Sequence, residues 1–82
     1  MDEFYKMFAL TFLSERAAYA NLSSYENHWK KLNGREIKCG DDKMYDTLLD
    51  HWDQEYTAHM KAKDALLEAW DQLTAEREAI AQ

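Results

Sequence analysis

Proline is absent from this 82-residue chain, and glycine occurs only twice, at Gly34 and Gly40. With no proline to break a helix from within, long uninterrupted helices are open on either side of the glycines. Cysteine is nearly absent as well. Cys39 stands alone, which excludes an internal disulfide framework and fits a free loop thiol in a reducing compartment. Long apolar runs are missing: the longest, Phe4 to Leu13, carries Lys6 and Thr11 and is too short to span a bilayer. The opening Met1-Asp2-Glu3 lacks the basic start of a secretory signal, so a cytoplasmic, non-membrane protein is expected. Positive charge is scarce, with ten Lys and Arg against sixteen Asp and Glu.

What remains is a chain that is 46% hydrophobic and 13% aromatic, enough to exclude a disordered tail and to supply one small domain spanning 1–82. Both glycines fall within the stretch Asn33 to Asp41. Asn33-Gly34 tolerates the left-handed conformation that ends a helix. Asp41 or Asp42 can accept from the free amides of a new first turn. The expected architecture is therefore an all-α antiparallel hairpin, with a helix over about 3–33, a loop over 34–41 and a helix over about 42–80.

Alternating steps of four and three residues connect Phe4, Phe8, Thr11, Glu15, Ala18, Leu22, Tyr25, Trp29 and Leu32 in the first segment. They connect Tyr45, Leu49, Trp52, Tyr56, His59, Lys63, Leu66, Trp70, Leu73, Arg77 and Ile80 in the second. An average step of 3.5 residues keeps one seam facing a partner helix. Asn21-Leu22-Ser23-Ser24 is the weak point, because Ser23 and Glu26 suit a capping box, yet the apolar register runs through it and predicts one continuous helix. Folded back, Glu15 is expected opposite residue 60 or so, and Phe4 opposite Trp70 or Asp71. The second helix then overhangs. Phe4, Tyr5, Met7, Phe8, Ala9, Leu10, Phe12 and Leu13 point nearly all round their helix, and Trp70, Leu73 and Ile80 sit near or beyond the end of the first. Two helices alone cannot cover such an end, so these residues predict packing between two copies in a homodimeric four-helix bundle.

Chemistry-bearing groups are few. Glu15, His59 and Lys63 form an expected polar layer in the seam, suited to fixing register or, alternatively, to handling a proton. His51, Glu55 and His59 are spaced four and four apart, but eight residues span about 12 Å, too far for one ion on one helix. No metal or cofactor site is assigned. Cys39 has no signalled base or oxyanion site, no glycine-rich loop precedes a lysine and a hydroxyl residue, and no catalytic residue is named. An enzyme is not expected.

Charge is the informative feature. Residues 30–43 carry five bases against three acids, whereas residues 44–82 carry nine acids against three bases. Asp42, Asp46, Asp50, Asp53, Asp64, Glu68 and Asp71 follow the four-three steps on the side away from the seam. Within each run successive carboxylates stand about 5–6 Å apart, similar to phosphates along a nucleic-acid strand, and the stripe is broken at Thr57 and Met60-Lys61. Such a stripe suits a larger protein with a basic surface and argues against direct nucleic-acid binding. In size, charge and lack of motifs the chain resembles phage-encoded inhibitors of host or defence nucleoproteins. Its alternatives are a structural oligomerisation module, whose charge serves solubility alone, and a metal- or proton-handling bundle.

Overall fold

The computed structural model describes residues 2–81, which form two helices: α1 (Asp2–Asn33) and α2 (Lys43–Ala81). Together they make an antiparallel rod 65 Å long and 17 Å across. Its radius of gyration is 18.8 Å, where a compact chain of this length would have about 12 Å. α1 is continuous through Asn21–Ser24. Among the described residues there is no strand, and no helix is long and apolar enough to cross a membrane.

Both helix ends at the loop are closed by local chemistry. Gly34 has φ +71° and its amide donates to the Lys30 carbonyl at 2.8 Å, the single bond of a left-handed cap. A turn follows in which the Asp41 amide donates to the Lys38 carbonyl, with Gly40 at φ +89° in the third position, where only a glycine sits easily. Asp42 caps α2: its Oδ1 accepts from the Met44 amide at 2.8 Å and the Tyr45 amide at 3.1 Å.

The helices meet in a different register from the one the sequence suggests. His59 stands against Phe8, Phe12 and Thr11, and Trp52 reaches Glu15, so Glu15 lies well short of residue 60. The loop explains the slip of about one turn. It doubles back along the end of α1, where Arg35 lies over the Trp29 ring at 4.8 Å and Lys30 pairs with Glu36 at 3.6 Å. Tyr25 donates to Asp42 at 2.8 Å, so α2 begins level with Tyr25 rather than with Asn33.

The seam on α2 is rotated too. Tyr45, Trp52, His59 and Leu66 face α1 as expected, but the alternate positions are Leu48, Glu55, Ala62 and Ala69. Tyr56, Lys63 and Trp70, expected in the seam, are exposed. Small Ala62 and Ala69 let the helices approach, and the bulkier neighbours turn to the flank. The resulting core is thin: Ala18, Leu22, Tyr45 and Ala62 are its buried apolar residues, and no described side chain is fully enclosed. Because Gly34 alone supplies the left-handed cap, Gly34→Ala should destabilise the fold by about 1 kcal/mol in urea titration, and Gly34→Asn by clearly less.

Candidate functional site

Two surfaces follow from this frame: a polar cluster inside the seam and the outer face of α2. Glu15 is 5% exposed and His59 7%. They do not bond each other. The Glu15 carboxylate is held by Arg16, with Nε to Oε1 at 2.8 Å and Nη2 to Oε2 at 2.7 Å, and Trp52 Nε1 donates to Oε2 at 3.2 Å. Arg16 in turn lies 4.7 Å over the Tyr19 ring, and Trp52 stacks near Tyr19 and Tyr56. The Arg16 guanidinium holds the Glu15 carboxyl below the usual carboxylate range against the opposing effect of burial, with help from the Trp52 N–H and from His59.

His59 is wedged between Phe8 and Phe12, with ring centroids 4.8 and 5.7 Å away. The Thr11 hydroxyl lies 2.8 Å from the Met7 carbonyl, 3.1 Å from the Phe8 carbonyl and 3.1 Å from His59 Nδ1. Lys63 is exposed and takes no part in an ion pair among the described residues. The expected three-residue layer is thus two separate contacts, and among the described residues no buried side-chain polar atom lacks a partner. Sequence reasoning missed Arg16, because adjacent helix residues normally face apart. It missed Trp52 because of the register slip.

No ligand set emerges around these groups. His51 is exposed, Glu55 half-buried and His59 buried, and among the described residues no three His, Cys, Asp or Glu side chains converge on a point that could hold a metal. Cys39 is exposed on the loop.

The outer face of α2 carries Asp46, Asp50, Asp53, Asp64, Glu68 and Asp71, all exposed, with Glu68 bordering the surface dip that Phe4 of α1 lines. Among the described residues none of them is ion-paired. Asp42 does not belong to this face. It is half-buried and committed to the Tyr25 hydroxyl and the α2 amides, which hold its carboxyl below the usual range. Asp46 is partly committed as well, since its Oδ1 accepts from the Gly40 amide at 3.0 Å. The remaining acids form two groups, Asp46–Asp53 and Asp64–Asp71, separated by about 16 Å. The first group borders a shallow depression of about 430 Å³, which Leu49 and Trp52 also line.

The apolar residues assigned to packing between copies lie as follows. Phe8 is half-buried against His59, whereas Phe4, Phe12, Leu13, Trp70, Leu73 and Ile80 are exposed within the single chain. Phe4 borders a surface dip with Ala65, Glu68, Ala69 and Gln72, a stretch of α2 that spans the level of Trp70. Searches against family models, curated proteins and solved structures find no match to this chain.

The Glu15 contact gives stability a pH dependence of definite sign. Its carboxyl is lower in the folded than in the unfolded chain, so its contribution is complete above the unfolded value and is lost as pH falls through the carboxylate range. The thermal midpoint of the wild type should drop on acidification more steeply than that of Glu15→Gln. Equal slopes would remove Glu15 from the account.

Proposed function

We propose that this chain is a small acidic, non-enzymatic protein-binding module that acts in the cytoplasm as a homodimer. It regulates or inhibits a larger partner by laying the outer face of α2 on a basic, nucleic-acid-binding surface, in the manner of phage inhibitors of host or defence nucleoproteins. One observation carries this reading: the outer face of α2 is almost single-signed, broken at Lys61, and its acids are solvent-facing and without ion-pair partners among the described residues. A solvated helix normally interleaves lysines one turn from its acids and gains a few tenths of a kcal/mol per pair. A face that repels itself forgoes that stability, and a basic partner restores it. The steps along each acidic group, about 4.5–6 Å, suit sites spaced for phosphates. The basic cluster at the hairpin loop is shorter and partly spent on Glu36 and Asp41, which disfavours nucleic acid as the direct ligand.

A second reading, a structural oligomerisation module, draws on the large apolar surface that the single chain leaves open. The two readings part at the acidic face. Replacing Asp46, Asp50, Asp53, Asp64, Glu68 and Asp71 by lysine should abolish capture of the basic partner from host lysate while leaving helicity and self-association intact. Wild-type capture should weaken as salt rises. Capture that survives both the charge reversal and high salt would leave the oligomerisation module standing.

A further inference from the structure

The hairpin exposes 6473 Å² of surface, whereas a compact protein of 9.7 kDa exposes about 5,100 Å². The excess, about 1,400 Å² per chain, corresponds to about 2,800 Å² in a pair, within the range of obligate homodimers. Six bulky apolar side chains of that surface line one flank. Tyr5, Phe12 and Tyr19 recur every seven residues along α1, and Tyr56, Leu67 and Trp70 run beside them on α2, each between 42% and 51% exposed. Contacts join the two rows: Tyr5 shares a surface hollow with Leu67 and Trp70, and Tyr19 and Tyr56 both touch Trp52. The row of α2 holds Tyr56 and Trp70, turned out of the intramolecular seam, with the exposed Lys63 between them, one heptad from each. It forms a second seam, parallel to the first and without an occupant inside the chain.

Resting on the self-association proposed above, we infer that a second copy of this chain covers the flank, antiparallel end to end, with the two loops at opposite ends of the bundle. Length sets the alignment. At 1.5 Å per residue, Phe12 stands about 32 Å from Asn33, and His59 about 33 Å from Ala81. Those distances add up to the 65 Å of the rod, so the Phe12–His59 contact marks its middle. A two-fold axis at that level overlays the rods along their full length. The turns of α2 beyond the end of α1 then lie against the loop end of the partner copy.

Charge selects this orientation over its opposite. The loop end is basic, with Lys30, Lys31, Arg35, Lys38 and Lys43 outnumbering its three acids, and the far end of α2 is acidic, with Asp71, Glu76 and Glu78 against Arg77. Opposed loops bring each acidic end beside a basic one. Loops at the same end would stack like on like, which disfavours association. Asp46 and Asp53 stand at the heptad position of Leu67, so in either case the bundle borders part of the acidic outer face of α2.

The sole cysteine is an exposed loop residue, so one nitroxide at Cys39 reads the geometry in the native chain. Light scattering should give the mass of a dimer, and electron–electron dipolar spectroscopy a distance of about 50–65 Å between the labels. A dimeric mass with a distance under about 30 Å would overturn the orientation and leave self-association intact. A monomeric mass with no dipolar signal would overturn self-association itself. Tyr56→Glu with Leu67→Glu should yield a helical monomer, whereas Leu10→Glu with Leu13→Glu, on the outer face of α1, should remain dimeric. The reverse pattern would move the interface from the flank to that outer face.

Discussion

A pair of helices can bury only the side chains along one line of contact, and here that line is narrow. Four apolar residues and the polar pair Glu15 and His59 make up the buried set, with no fully enclosed side chain among the described residues. Ordering a residue costs about 1–2 kcal/mol of backbone entropy, which a core of this size does not offset over eighty residues. The architecture is thus shaped by a shortage of burial. Bulky aromatics stay on a flank, the overhanging turns of α2 stay bare, and the small residues Ala18, Ala62 and Ala69 hold the interhelical contact.

The polar groups inside that contact act in the same direction. Glu15 is satisfied by Arg16 and Trp52, and His59 by Thr11 between two phenylalanine rings. A one-turn slide would take Trp52 from Glu15 and Thr11 from His59, leaving Glu15 only its neighbour Arg16. They fix register in a seam whose apolar content is too uniform to do so. Their chemistry is fully used in that role, so the surface of α2, with its free carboxylates, is the stronger candidate for a function directed outward.

Much of this was legible in the residues. The absence of proline and the placing of Gly34, Gly40 and Asp42 marked both helices and the loop within a residue or two, because caps are local chemistry. Register was not legible, because it depends on how the loop lies. Arg35 stacking on Trp29 and Tyr25 bonding Asp42 are contacts between segments, and they shift α2 by a turn. The same limit hid the true seam. Leu49, Tyr56, Lys63 and Trp70 satisfy a 3.5-residue period as well as Leu48, Glu55, Ala62 and Ala69 do, and only close approach at the alanines decides between them. Asp42 looked like one more acid of the outer stripe, since spacing alone does not distinguish a capping carboxylate from a free one.

The proposed self-association makes folding and association one process, because the hairpin buries so few side chains by itself. The most direct measurement is the thermal unfolding midpoint as a function of protein concentration, followed by circular dichroism from low to high micromolar. Coupled folding and association predicts a midpoint that climbs steadily with concentration. A cooperative transition at one fixed temperature across that range would show that two helices suffice, and would contradict the account.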